Sequence, residues 1–486
     1  MPNLAPAAEV AAPTAPLLTP GETCWATARA GRFRVMVDAA DYFAAARSAM
    51  LKARHSILMI GWDFDTRIKL EPGGTDHPGP PKLGRFLNWL ARERPELRIR
   101  ILKWDLGLLG SLARGETPFF LLDWMTGRRV RLKLDGAHPA AAAHHMKLMV
   151  IDDALAFCGG IDMTVGRWDT RGHEPDAKHR RTPGGSPCDP WHDATTCVDG
   201  AAAAKLAELA RERWRRATSE TLEPVTPAGD PWPDDLPVDL RDVEIGIART
   251  IAEYDGHRQV AEIETLTFRA IAAARRHLYI ESQYFASRRV AEAMVRRLAE
   301  PDGPEIVVIN PESADGWLEQ KTMDAARVRL LHLVRRADRY GRFRIFHPVN
   351  TAGTPIYVHA KIMVVDDRLL KIGSANMNNR SLGYDTECDL AVEGTTEAIR
   401  RAIVARRDDL LAEHLGCEAA DVATALDGAD GSLIRAIEAL NTGSRRLVPL
   451  ESRPLGPEEE ALAETDLVDP ERPTSLWRQL RSVARV

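Results

Sequence analysis

Two stretches of this 486-residue chain repeat a set of chemically able side chains at identical spacing. The first runs His145-Met146-Lys147-Leu148-Met149-Val150-Ile151-Asp152 and continues to Gly159-Gly160-Ile161-Asp162. The second runs His359-Ala360-Lys361-Ile362-Met363-Val364-Val365-Asp366 and continues to Gly373-Ser374-Ala375-Asn376. His145 and His359, Lys147 and Lys361, Asp152 and Asp366, and Gly159 and Gly373 each lie 214 residues apart. In an extended strand, residues two apart share a face, so each His and Lys point the same way. Two imidazoles, two ammonium groups and nearby amide or hydroxyl donors suit a phosphodiester. The lysines would neutralise the non-bridging oxygens, one imidazole would attack phosphorus and the other would protonate the leaving alkoxide.

An imidazole working in this way needs its second nitrogen held, which a carboxylate does in triad-like sites. Asp193 and Glu387 are the candidates. Each stands seven residues before a Gly and a helical stretch, at equivalent places in the two repeats. The doubled motif offers none of the His/Cys/carboxylate clustering that zinc or paired magnesium would need, so no metal or cofactor is expected.

The elements that must carry these residues are themselves doubled. Ala53–Phe64 lines up with Ala274–Phe285, and Asp193–Gly200 with Glu387–Gly394, each in the same order in the two halves. Three ordered matches indicate an internal duplication. Strand-like runs at Arg32–Val37, Ser56–Asp63, Leu97–Trp104 and Val130–Leu134 alternate with helical spacing at Ala39–Ala53, where Asp38 is a candidate cap, and at Leu83–Arg94. That alternation predicts an α/β sandwich. Residues 1–20 read as a flexible leader, 21–219 as the first half, 220–240 as a Pro/Asp-rich linker, 241–415 as the second half and 416–486 as a C-terminal extension.

Composition narrows the function. Hydrophobic content of 44% and charged content of 28% describe a globular chain. A net charge of −5 disfavours non-specific nucleic-acid binding. Six cysteines form no CxxC pair. Neither a signal peptide nor a run of 18 apolar residues is present, so the expectation is a cytoplasmic or peripheral protein, or one exported by another route. The pairs Arg180-Arg181 and Arg335-Arg336 read as solvated faces. Trp62, Trp104, Trp168, Trp191 and Tyr284 are either pocket lining or core packing.

The doubled motif resembles the signature of the phospholipase D superfamily: His, one residue, Lys, four residues, Asp, six residues, Gly with Gly or Ser, one residue, then Asp or Asn. Both copies satisfy it in full, and Trp191-His192-Asp193, Arg167-Trp168-Asp169, Tyr279–Phe285 and Asn379-Arg380-Ser381 are similar to its surroundings in two-motif members. The resemblance covers about residues 25–415 and implies a two-lobed, duplicated α-β-α sandwich with pseudo-twofold symmetry and one site at the junction. It further implies a covalent phosphohistidine, with His145 as nucleophile and His359 as general acid. Lys147 and Lys361 would hold phosphate together with Asn376 and Ser374. Asp152 and Asp366 belong to the catalytic signature and are assigned to pinning the turn. Gly160 and Asp162 stand where the second copy has Ser374 and Asn376, which makes the donors asymmetric. The implied activity is hydrolysis of a glycerophospholipid to phosphatidic acid and a head-group alcohol, by a monomer at a phospholipid surface with no nucleic acid. A transphosphatidylase such as a cardiolipin synthase is the alternative, followed by a phosphodiester nuclease and an inactive lipid-binding scaffold.

Overall fold

A computed structural model describes residues 15–105, 123–140, 142–314 and 317–451. The parts of the leader and extension beyond these, including Pro454–Glu459 and Asp469–Pro473, lie outside the described residues.

The first half builds strands β1 (Ala26–Val37), β2 (Ser56–Gly61), β3 (Arg98–Trp104), β4 (Val130–Asp135), β5 (Leu148–Ile151), β6 (Leu155–Gly159), β7 (Trp191–His192) and β8 (Ala194–Asp199). Its helices are α1 (Ala39–Lys52), α2 (Leu83–Glu93) and α3 (Gly200–Thr218). The second half builds β9 (Leu240–Ile251), β10 (Val260–Ala261), β11 (His277–Glu281), β12 (Glu305–Ile309), β13 (Phe343–Val349), β14 (Tyr357–Val358), β15 (Ile362–Val365), β16 (Leu369–Gly373) and β17 (Glu387–Glu393). Its helices are α4 (Glu262–Ala273), α5 (Arg288–Leu298), α6 (Trp317–Ala337), α7 (Asn379–Gly383) and α8 (Glu397–Leu415).

One mixed sheet runs through both lobes, and its order is a palindrome of the duplication. Outward from the centre it reads β1-β8-β6-β5-β2-β3-β4 on one side and β9-β17-β16-β15-β11-β12-β13 on the other. The two arms join through the antiparallel β1–β9 pair. The arms then pack face to face: β16 lies against β8 and β17 against β6, and Cys158 Sγ sits 3.7 Å from Cys388 Sγ. All six cysteines are free.

Local sequence explains these layers. β2 and β5 are nearly continuous apolar runs because both faces are covered. In α1, Tyr42, Phe43, Ala46, Ala49 and Met50 recur at helical spacing, as do Leu83, Phe86, Leu87 and Leu90 in α2. Both stripes close over Ile57, Met59, Ile99 and Ile101. α4 and α5, with the later part of α6, cover the outer face of the second lobe. Between the lobes, α3 and α8 seal a core that draws residues from both, with Trp214 fully buried in it.

Two expectations need correction, for Asp38 and for Arg180. Asp38 makes no capping hydrogen bond to α1; it sits at φ 67° and its Oδ1 accepts from the backbone N–H of Asp193. In the Pro/Asp-rich stretch after α3, Trp232 is buried in the first lobe's core and Arg32 pairs with Asp230. Arg180 is buried against Asp169, whereas Arg181 beside it is exposed as expected of a solvated face. Beyond α8, helices α9 (Ala419–Gly428) and α10 (Leu433–Leu440) lie against the interlobe core, and β18 (Arg446–Pro449) extends the sheet at β13. Among the described residues no helix is long and apolar enough to cross a membrane.

Candidate active site

The chain reaches each motif histidine by the same device. His145 lies three residues before β5, where its backbone N–H donates to the carbonyl of Thr386, 2.9 Å away in the other lobe. His359 lies three residues before β15, where its N–H donates to the carbonyl of His192, 2.8 Å away. The residue after each of those carbonyls is an acid, so every histidine meets the carboxylate of the opposite repeat. His145 Nδ1 lies 3.1 and 3.0 Å from the two oxygens of Glu387, and His359 Nδ1 lies 2.6 Å from Asp193 Oδ2. His145 Nδ1 also faces the carbonyl of Ser374 at 3.1 Å. All these partners are acceptors, so each Nδ1 carries a hydrogen and each Nε2 is left as the atom that attacks or that takes and gives a proton.

The lysines sit beneath. Lys147 Nζ donates to the carbonyl of His145 at 2.8 Å and pairs with Asp162 at 3.2 Å. Lys361 Nζ donates to the carbonyl of His359 and, at 3.3 Å, to Gln283 Oε1. Electrostatics tie the four together. Burial, then Lys147 and Lys361, hold His145 well below the usual imidazole range. Burial, then Lys361, Arg167 and Lys147, do the same for His359. Burial lowers Lys361 to about 7, opposed by Asp193. Burial lifts Glu387 to about 8 against the pull of Lys147 and of the Ser374 hydroxyl, which donates to it at 2.5 Å. Asp193 is raised by burial as well.

The supporting positions divide the work unequally. Gly160 is required because a Cβ there would collide with Asp193 Oδ1. Asp162 holds Lys147 and accepts from the N–H of Trp62 at 3.0 Å, so it is a brace and offers no donor. Asn376 is buried with its side-chain oxygen unmatched by any donor among the described residues. Asp152 and Asp366 take no place at the centre. Asp152 accepts from the N–H groups of Arg54, His55 and Ser56 at 2.6–2.8 Å, and Asp366 from those of Arg275, Arg276 and His277 at 2.7–2.9 Å.

Two aromatic walls flank the histidines. Trp62 stacks on Trp104 with centroids 5.8 Å apart and sets an edge toward His145. Trp191 stacks on Tyr357 at 4.6 Å, lies 5.1 Å from His359 and carries the Arg167 guanidinium 3.9 Å above its ring. Trp168 is elsewhere, edge-on to His179. A polar cavity of about 320 Å³, lined in part by His138, Arg213, Arg216, Tyr254 and His257, opens beside Thr386. Sequence reasoning named Arg167 and the stretch holding Gln283 as surroundings of the motif but gave neither residue a place in the site. Gln283 occupies the place in its repeat that Trp62 occupies in the first, which was the available signal. The set presents a pair of oriented imidazoles with two cations beside them, the equipment for moving a phosphoryl group between oxygens.

Comparison with known proteins gives the family. Residues 49–249 match the family described as "Phospholipase D", and residues 267–405 match "Cardiolipin synthase, PLD-like domain". Together they span both lobes, and the chain belongs to the phospholipase D superfamily. It is similar to Phospholipase D A of Dictyostelium discoideum, 24% identical over 74% of this chain and 32% of that one. It is likewise similar to Phospholipase D2 of Bos taurus, 23% identical over 74% of this chain and 49% of that one. The chain thus spans about a third to a half of the length of these relatives. Among solved structures, the phosphatidylserine synthase of Haemophilus influenzae Rd KW20 shares the fold, with a TM-score of 0.55 at 11% identity over 79% of this chain and 88% of that one.

Proposed function

We propose that the protein is a phospholipase D, a phosphodiesterase that hydrolyses a glycerophospholipid to phosphatidic acid and a free head-group alcohol. The observation that carries this reading is the crossed pairing of each imidazole with the opposite lobe's carboxylate. It leaves two Nε2 atoms free at one junction, with Lys147 and Lys361 below them.

In the first step His145 Nε2 attacks phosphorus. The phosphorus–oxygen bond to the head group breaks, and that oxygen takes a proton from His359 Nε2, which His359 has drawn from solvent as the anionic phosphodiester binds, its imidazolium form stabilised by Asp193. The two ammonium groups offset charge on the non-bridging oxygens, with Asn376 as a further donor. In the second step His359, now neutral, removes a proton from water as its oxygen attacks phosphorus. The phosphorus–nitrogen bond breaks, phosphatidic acid leaves and His145 returns to its resting form. Glu387 and Asp193 fix the tautomers and stabilise the imidazolium forms.

The stacked aromatics on both flanks supply apolar walls for the non-reacting part of a lipid, which supports a phospholipid surface as the partner. Both motifs and both partner carboxylates belong to one chain, so the site needs no second copy and a monomer is expected, and the net charge of −5 weighs against nucleic acid. The test is mass spectrometry of products from a defined phospholipid panel, with and without a primary alcohol. Phosphatidic acid plus head-group alcohol is expected. Phosphatidyl-alcohol alone would move the assignment to a transphosphatidylase, and DNA cleavage without lipid turnover would overturn it.

A further inference from the structure

His192 directly precedes Asp193, and in an extended segment its side chain must point to the opposite side. It enters a second buried cluster that the proposed chemistry does not use. Asp38, His173, His192 and Glu413 converge there, each almost wholly buried, with one donor atom apiece lying within 4.8 Å of the others. His173 Nε2 lies 3.2 Å from Glu413 Oε1 and 3.5 Å from Asp38 Oδ2; His192 Nδ1 lies 3.5 Å from Asp38 Oδ1 and 2.7 Å from Glu413 Oε1. Four ligands about 2.0–2.1 Å from a tetrahedral ion stand roughly 3.3–3.4 Å apart. Three of these four separations lie within about 0.2 Å of that length, with Asp38 turning a different oxygen to each histidine, and the fourth must open by about 0.6 Å for Glu413 Oε1 to serve as a ligand beside His192.

The surroundings match what an ion needs. Metal-bound imidazoles give their other N–H to a carboxylate. His173 does so to Asp169, with Nδ1 2.9 Å from Oδ2, and His192 to Glu281, with Nε2 2.7 Å from Oε2. Asp169 is itself held by Arg180 and by the N–H of Trp191. Glu281 accepts from the Tyr279 hydroxyl and faces His414. Glu413 keeps its second oxygen on Arg171.

Asp38 supplies an independent pointer. Its Oδ2 is buried without a hydrogen-bond partner and aims into the cluster, from a backbone position at positive φ. Among the described residues no lysine or arginine pairs with Asp38 or Glu281. Without an ion, both imidazoles would have to carry two protons and share one oxygen of Glu413, while Asp38 kept only two contacts of 3.5 Å and no hydrogen bond to its Oδ2. A dication replaces those two protons and neutralises Asp38 and Glu413 together.

We propose that Asp38, His173, His192 and Glu413 form a closed tetrahedral zinc site that clamps the two lobes beneath the active centre. Two nitrogens and two carboxylate oxygens in tetrahedral array suit zinc better than magnesium or calcium, which favour oxygen cages of higher coordination. The ion takes no part in the reaction; it positions. The N–H of Asp193 donates to Asp38, and the N–H of His359 donates to the carbonyl of His192, so the clamp fixes the acid and the base of one crossed pair. Because the ligands are drawn from positions 38, 173, 192 and 413, they form no motif, and the site lies apart from the doubled motif on which the expectation of no metal rested.

The test is the zinc content of the full chain, purified without a polyhistidine tag, loaded with excess Zn²⁺ and passed into metal-free buffer. About one zinc per chain is expected, with tetrahedral d–d absorption after cobalt substitution and an anomalous scattering peak at the tetrad. His173→Asn and Glu413→Gln, where folded by circular dichroism, should lower the retained zinc at least about tenfold. Unmodified, folded protein that keeps less than about a tenth of an equivalent after loading would overturn the proposal and leave a proton-filled ion-pair network. So would a full equivalent that survives both substitutions.

Discussion

Burial and two neighbouring ammonium groups favour a neutral His145, so the proposed nucleophile needs no prior deprotonation near neutral pH, and the same forces make His359 a ready proton donor once the substrate's negative charge has let it take up a proton. What the pair needs is the correct tautomer, and that depends on one carboxylate each. Asp193→Asn or Glu387→Gln keeps the shape but presents an amide that also favours the flipped ring; turnover should fall by about 10²–10⁴ while thermal unfolding stays near that of the parent, as kinetics and melts would show. Lys361 gives the pH dependence. Its ammonium is lowered to about 7, and an ammonium is lost as pH rises through its pKa, so kcat/KM should decline on the alkaline side of about pH 7. A pH–rate profile checks this, and the limb should move upward in Lys361→Arg, which cannot deprotonate. At this scale the sequence was legible where a residue type repeated. Gln283 was not, because its counterpart is Trp62 and duplication reveals only what both copies keep.

The two β-hairpins that carry the motifs are anchored by their signature acids. Asp152 and Asp366 sit at φ 49° and 50° in the turn and gather three backbone N–H groups at the start of β2 and β11. That explains an acid at a fixed distance from the histidine without any part in the chemistry. Asp366→Ala would leave those donors unmatched, at about 3 kcal/mol in all. Denaturant unfolding should show the loss, while the folded fraction keeps its turnover. Apolar runs made β2, β5 and β15 readable, and helical stripes made α1 and α2 readable. Asp38 was misread because a polar residue ahead of a helix is usually a cap; here its side chain is taken by Asp193 and the histidine cluster, a long-range contact that no local pattern encodes.

The whole molecule is one sheet folded at β1 and β9, and the crossing of carboxylates follows from that fold. Doubling was visible in the sequence as an offset of 214 residues, but which acid serves which histidine depends on how the lobes face each other. The consequence is that neither half can be active by itself. The first lobe holds His145 without Glu387, and the second holds His359 without Asp193. Separately produced halves should show no lipid turnover, and co-expression should restore it; an active single half in the same assay would contradict the crossed arrangement.

The central claim is that one imidazole of a crossed pair takes the phosphoryl group. The direct measurement is peptide mass spectrometry after rapid alkaline quench of the protein with a phospholipid, under conditions that preserve phosphorus–nitrogen bonds. A phosphatidyl adduct on the peptide containing His145, absent in His145→Gln, is the predicted result. An adduct on any other residue, or product formation undiminished in His145→Gln, would contradict it.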